Sequence, residues 1–134
     1  SFGADIIVGF VGEDQKAFKK TFDFIAAAPL SYLHVFPYSL RPGTAAWSMG
    51  DPVKQSEKKE RVRLLRHLSQ EKFFAFRRMF IGNEFMATAE RREGEYFGLT
   101  DNYIRVKLNS VPKGNWVKIR LTKVTIDETW GEIV

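Results

Sequence analysis

Four polar side chains in one short stretch carry most of the chemistry this chain offers. Residues 32–44 read Tyr-Leu-His-Val-Phe-Pro-Tyr-Ser-Leu-Arg-Pro-Gly-Thr, an apolar run that breaks into a loop. A strand that ends in a polar loop is how an α/β scaffold presents an active-site rim. Arg41, followed by Pro-Gly, falls on a tight exposed turn. Its planar fork suits a phosphate or carboxylate, or else it bonds loop carbonyls. Ser39 and Thr44 either bond a substrate or close local turns with their own backbone. His34 lies between apolar neighbours and fits a packed, hydrogen-bonded core position better than a catalytic one. A second loop, Gly9-Phe-Val-Gly-Glu-Asp14, has two glycines that let backbone approach a cofactor closely, and it reads equally as an ordinary strand-to-helix turn. No Ser/His/Asp pattern or paired carboxylate makes a hydrolase, and no residue is assigned a catalytic role. With no cysteine and two histidines, His34 and His67, disulfides, thiolate metal sites and a cysteine nucleophile are excluded, and no self-contained metal site is expected.

The elements that must position these groups follow from hydrophobic periodicity. Residues 4–9 form a short, nearly all-apolar strand ending at Gly9, as in sheets covered on both faces. Asp14 or Glu13 caps a helix whose Phe18, Phe22 and Ile25 share one face. Pro29 stops it, because proline disfavours helical geometry in the residue before it. Residues 32–36 are a second buried strand, completing a right-handed βαβ unit. Two parallel strands cannot bury both faces alone. Residues 1–52 are therefore expected to be the end of a larger barrel-like sheet, with exposed apolar edges at Ile6–Val8 and Leu33–Phe36 that invite self-association.

Asp51-Pro52 signals the start of a long helix, with Asp51 as N-cap, running from Val53 to a stop at Gly82-Asn83. Arg61, Arg63, Arg66, Lys72, Arg77 and Arg78 decorate it, as a solvated face or an RNA-facing surface; His67 carries no interpretable signal. Beyond it, alternation and turn residues predict strands at 85–90, 95–99, 103–108, 116–124 and 130–134. Short strands at this spacing indicate a small antiparallel barrel of oligonucleotide-binding (OB-like) plan. Ile104, Val106 and Leu108 would point inward, leaving Tyr103, Arg105 and Lys107 outside. Val117, Ile119 and Leu121 would likewise leave Trp116, Lys118 and Arg120 outside. Cations neutralise phosphate and exposed aromatics stack unpaired bases, so these faces suit RNA loops, or else keep the domain soluble.

Charge divides the same way. Residues 1–52 carry 4 Lys/Arg against 5 Asp/Glu, whereas residues 53–134 carry 17 against 11. The basic excess of the second part suggests an anionic partner. No apolar run approaches the ~18 residues of a membrane span, and no signal-peptide pattern opens the chain, so no membrane association is expected.

The 32–44 run resembles the last barrel strand and loop of the radical S-adenosylmethionine (SAM) methylthiotransferases, most closely the branch acting on threonylcarbamoyladenosine in tRNA. At residues 9–14 that family has Gly-Phe-Pro-Gly-Glu-Thr, and this chain differs at Val11 and Asp14. Residues 98–106, Gly-Leu-Thr-Asp-Asn-Tyr-Ile-Arg-Val, resemble the turn and strand of TRAM domains, small β barrels of tRNA- and rRNA-modifying enzymes. The late Gly131-Glu-Ile133 is similar to their final strand. The resemblance implies an α+β chain. Residues 1–69 would be the C-terminal end of a radical-SAM (β/α) partial barrel and the start of a connecting helix. Residues 70–134 would be a TRAM RNA-binding barrel.

By that resemblance Gly9, Phe10, Gly12, Glu13, His34 and Phe36 lie near SAM, while Ser39, Arg41 and Thr44 contact substrate. Arg77, Arg78, Tyr103, Arg105, Lys107, Trp116, Lys118 and Arg120 bind RNA. The full-length enzyme would be cytoplasmic and would use SAM and two [4Fe–4S] clusters, with cluster ligands upstream of Ser1. It would add a methylthio group to C2 of the modified adenosine beside the anticodon. Its partners would be the tRNA anticodon stem-loop and the missing N-terminal part of the same chain, and the piece alone would be inactive. The isopentenyladenosine and ribosomal-protein branches are alternatives within the family. Outside it stand a free-standing RNA-binding module with a non-catalytic α/β cap and a metabolic enzyme with a β appendage.

Overall fold

The computed structural model describes all residues, 1–134. Two compact units are present, one spanning residues 2–69 and the other residues 70–134. No helix is long and apolar enough to cross a membrane.

The first unit is a βαβ arrangement followed by a helix. Strand β1 (Gly3–Val8) pairs in parallel with β2 (Tyr32–Pro37), placing Asp5 opposite His34 and Ile7 opposite Phe36. Helix α1 (Gln15–Ala27) starts at Asp14, whose carboxylate accepts the Ala17 amide at 2.7 Å. It ends one residue before Pro29, at Ala28, which has extended backbone. Successive strand side chains face opposite ways, so only one face of the two-stranded sheet is covered. Val8, Leu33 and Val35 pack there with Phe18 and Ile25 of α1 and Val62 and Leu65 of α2 (Gln55–Arg78). The other face carries Ile7, 60% exposed, and Phe36, 51% exposed. His34 lies on this open face, in an edge-to-face contact with the Tyr32 ring at 5.3 Å. The expected core position for His34 is thus corrected, because strand parity puts it opposite Leu33 and Val35.

Helix α2 begins at Gln55 rather than Val53. Asp51 does not cap it, since its carboxylate pairs with Lys58. The α-helix stops at Arg78, and the next turn tightens as Met79, Phe80 and Ile81 donate to carbonyls three residues back before Gly82. A short 3₁₀ helix at Ala45–Met49, which periodicity did not indicate, occupies the loop after β2.

The second unit is a closed five-stranded barrel in the order β3-β4-β5-β7-β6. Its strands are β3 (Glu84–Arg92), β4 (Glu95–Thr100), β5 (Arg105–Leu108), β6 (Trp116–Val124) and β7 (Thr129–Ile133). The expectation of an all-antiparallel barrel is corrected: β5 and β7 run parallel, with Lys107 opposite Trp130. The chain reaches β7 from β6 by a hairpin, and antiparallel β6 and β7 then leave β7 aligned with β5. Ile104, Val106, Leu108, Val117, Ile119 and Leu121 fill the interior, with Phe76 and Phe80 of the helix end packed against them. Gly131 is required where β7 passes closest to its neighbours. A Cβ there would sit 2.7 Å from both the Arg120 carbonyl and a Val106 methyl.

Candidate functional site

In the first unit the two strand-end loops are both tied to α2. At the end of β1, Glu13 Oε2 accepts the Gly9 amide at 2.5 Å and Arg61 Nη1 at 2.7 Å, and Arg61 also donates to the Glu13 carbonyl at 2.9 Å. Glu13 is therefore engaged within the protein, holding the strand-end loop against α2. Arg61 is buried rather than part of a solvated basic face. Gly9, at φ +78°, is the only residue type that fits, because a Cβ would meet the Lys58 side chain at 2.5 Å. Phe10 is exposed and stands edge-on to Tyr38 at 5.0 Å, and Gly12 has open space beside it.

At the end of β2, Lys58 is fully buried. Its ammonium donates to the Tyr38 carbonyl at 3.0 Å, pairs with the Asp51 carboxylate and lies 5.3 Å from the centre of the Tyr38 ring. The loop so held walls a groove of about 400 Å³, with Ile7, Phe36 and Tyr38 on its apolar side and Ser39, Arg41 and Thr44 at its lip. The Thr44 hydroxyl donates to the Arg41 carbonyl at 2.8 Å, closing a local turn, while Ser39 and Arg41 are exposed. Phe36, Ser39, Arg41 and Thr44 thus meet at one groove, and His34 shares the open sheet face. Periodicity missed Lys58 and Arg61. Their spacing (i, i+3) with Val62 and Leu65 is a helical-face signal, but charge alone argued for solvent.

On the barrel, the two cationic trios do not form one surface. Strands β5 and β6 are separated by β7 on one side and by β3 and β4 on the other. Tyr103, Arg105 and Lys107 line a groove of about 530 Å³ together with Phe97, Asp127 and Glu128. Trp116 and Lys118 line a different one. Tyr103 stands before β5 rather than in it, in the left-handed region at φ +64°. Its turn is held by the Thr100 hydroxyl, which accepts the Ile104 amide at 2.9 Å.

The outward cations are also paired. Arg105 contacts Glu90 at 2.6 Å, Lys107 contacts Glu95 at 2.5 Å, and Glu84 receives both Lys118 and Arg120 at 2.5 Å. Arg120 also reaches Glu132 at 3.1 Å. No acid lies next in sequence to these cations, so only the cross-strand register reveals the pairs.

Arg77 is 4% exposed. Its guanidinium donates to Thr129 Oγ1 at 3.0 Å and to the Thr125 and Ile126 carbonyls at 3.0 and 2.7 Å. Arg77 lines the inner end of the Tyr103 groove and braces the β6–β7 turn. Arg78 is exposed, 5.4 Å from the centre of the Phe74 ring.

These pairs carry a pH signature. Hydrogen bonds from Lys118 and then Arg120 hold the Glu84 carboxyl below its usual range, and Arg105 does the same for Glu90. A carboxyl depressed in the folded state stabilises above its unfolded pKa of about 4.3, and that contribution is lost as pH falls through the folded value. Barrel melting temperature is expected to hold near neutrality and fall below about pH 5. In Glu84→Gln the acid-side fall is expected to be shallower; an identical pH profile in the variant would remove Glu84 from the account.

No protein-family profile matches the chain. Among curated proteins, it is 41% identical over 107 residues to the threonylcarbamoyladenosine tRNA methylthiotransferase MtaB of Aquifex aeolicus, covering 80% of this chain and 25% of that protein. The protein of the same name from Bacillus subtilis is 35% identical over 140 aligned positions, covering 98% of this chain and 31% of its own length. The tRNA-2-methylthio-N(6)-dimethylallyladenosine synthase of Actinobacillus succinogenes is 33% identical over 137 positions, covering 98% and 29%. The chain thus spans between a quarter and a third of the length of these relatives.

Proposed function

Because the chain belongs to the tRNA methylthiotransferase family over a segment equal to 25–31% of its relatives' length, we propose that it is the C-terminal part of an enzyme that adds a methylthio group to C2 of N6-threonylcarbamoyladenosine beside the anticodon. The observation that carries this reading is the 41% identity to the Aquifex protein, maintained across 80% of the chain. The named substrate branch is supported by identities that reach 41% among threonylcarbamoyladenosine enzymes, which range from 31% to 41%, against 31–33% for dimethylallyladenosine enzymes.

In this reading residues 2–69 are the edge of a radical-SAM partial barrel, and further strands of the same polypeptide flank β1 and β2. The groove beside Ile7 and Phe36 then belongs to the SAM and substrate cavity. Arg41 would offer its fork to a carboxylate of either molecule, Ser39 a hydroxyl, and the apolar wall would exclude water. Lys58 and Arg61 hold the two loops at fixed height along that wall. The barrel at 70–134 is a TRAM domain that grips the tRNA, in the cytoplasm.

The residues of this chain do not fit an iron–sulfur cluster. It has no cysteine, and no group of three or more His, Asp or Glu side chains is placed to hold a metal ion. Cluster ligands in such an enzyme would come from outside these 134 residues.

The test is a chimera in which this chain replaces the matching segment of the Bacillus subtilis relative, with tRNA nucleosides read by mass spectrometry. The expected product is 2-methylthio-N6-threonylcarbamoyladenosine, falling at least about tenfold in Arg41→Ala without a change in melting temperature; tenfold corresponds to about 1.4 kcal/mol. A methylthio group found only on isopentenyladenosine would reassign the branch. No methylthiolated product from a folded, cluster-loaded chimera would sink the reading.

A further inference from the structure

We propose that the barrel takes hold of an unpaired RNA nucleotide at the groove beside Trp116, and not at the groove beside Tyr103. This inference rests on the reading of the barrel as the tRNA-gripping part. Both grooves offer an exposed aromatic ring, Trp116 at 69% and Tyr103 at 73% exposure. What separates them is charge.

The Tyr103 groove is lined by Asp127 and Glu128, and its innermost cation, Arg77, is already engaged by Thr129 and the Thr125 and Ile126 carbonyls. Its two outer cations are each held by an acid, Arg105 by Glu90, which Arg92 also contacts, and Lys107 by Glu95, for which it is the cation in reach. A phosphate entering there meets two carboxylates and must compete with two more for its cations. The Trp116 groove, of about 590 Å³, has Lys113 and Lys118 on its walls and no Asp or Glu side chain among its lining residues. Lys118 does pair with Glu84, at 2.5 Å, but Glu84 is shared with Arg120. Lys118 can turn to a phosphate while Glu84 keeps a cationic partner, so its release costs less than that of Lys107 from Glu95.

The shape agrees with that charge. Trp116 opens β6 directly after the β5–β6 loop, so its indole stands beside Lys113 and Gly114 at the groove mouth. Val111, 65% exposed, and Ile133 give the groove apolar flanks. An indole and two lysines lining one groove suit a base and its neighbouring phosphates, since stacking tolerates any base and the lysines need only backbone charge. A protein partner would use the apolar flanks but gain little from two lysines without an acidic complement.

The experiment uses the 134-residue chain and a fluorescein-labelled anticodon stem-loop, with affinity read by anisotropy across a salt series. Trp116→Ala is expected to weaken binding about tenfold and Trp116→Phe to retain most of it, whereas Tyr103→Ala changes it less than about twofold. Lys113→Ala/Lys118→Ala is expected to flatten the dependence of affinity on salt by roughly one to two counterions. Melting temperatures of all variants should match the parent, since each side chain is exposed or half-exposed. Binding that depends on Tyr103 and ignores Trp116 would overturn the inference and leave the tRNA-gripping reading intact. Absence of any binding by the folded parent at low salt would sink both. Self-association that changes in Trp116→Ala, with RNA affinity unmoved, would assign the groove to a second copy of the chain and overturn the inference.

Discussion

Replacing Arg77 with methionine is expected to destabilise the barrel by about 3 kcal/mol or more, lowering its melting temperature by more than about 10 °C. The reason is geometric. A single buried guanidinium serves Thr129 Oγ1 and the Thr125 and Ile126 carbonyls, all within 3.0 Å, and also lies over the Phe73 ring at 4.8 Å. Burial pulls its pKa below the usual arginine value, opposed by nearby Asp127, so the charge is retained against a desolvation cost. Methionine fills much of the volume but leaves acceptors without a donor, at roughly 1–3 kcal/mol each where they stay dry. Lysine keeps the charge yet lacks the fork that reaches three acceptors, so Arg77→Lys should fall between parent and Arg77→Met. Hydrogen exchange is expected to accelerate first at the β6–β7 turn. At temperatures where the variant remains folded, its RNA affinity should stay within about twofold of the parent, well short of the roughly tenfold effect of losing a stacked base. A melting temperature within about 2 °C of the parent would remove Arg77 from its bracing role.

Lys58→Ala is expected to have the second largest effect, a loss of about 3 kcal/mol from the first unit. Removing one member of a buried ion pair strands the other, here Asp51, and also leaves the Tyr38 carbonyl without its donor. The consequence should be local as well as global. Limited proteolysis is expected to open residues 39–50, because Lys58 is what joins both ends of that loop to α2. The double variant Lys58→Met/Asp51→Asn should recover part of the loss, since replacing both charges avoids an unpaired one. If the double variant were no better than Lys58→Ala, the packing of the lysine stem against Gly9, rather than its charge, would be what matters.

Much of the fold was legible because it is written in local periods. The βαβ unit follows from two apolar runs and a helix between Asp14 and Pro29, and each of those signals acts within a few residues. The inward set of Ile104, Val106, Leu108, Val117, Ile119 and Leu121 follows from strict alternation, which needs no partner strand to read. The meeting of Phe36, Ser39, Arg41 and Thr44 at one groove was legible for the same reason, since they are neighbours along the chain.

Long cationic side chains were misread where composition stood in for geometry. Arg61 and Arg77 look like members of a solvated basic face, yet each sits on the stripe of α2 that packs inward. A guanidinium can be buried there because carbonyls and a carboxylate, brought from far along the chain, accept from its terminal nitrogens, which in Arg61 outweighs a buried Nε without a partner. The helix start shifted for a related reason: Asp51 met Lys58, and a buried ammonium outcompetes backbone amides for a carboxylate.

The amino-acid sequence by itself determined the elements, their inward faces, the glycine turns and the family likeness, because these depend on steric and hydrophobic preferences of adjacent residues. Only the tertiary structure decided which charges meet. Glu84 lies more than 30 residues from Lys118 and Arg120, and barrel closure alone brings them into register. The same closure puts β7 and β3–β4 between the two aromatic–cationic strands, so their two faces lie in separate grooves of different charge. Electrostatic character is a property of neighbours in space, and the local pattern of a single strand does not contain it.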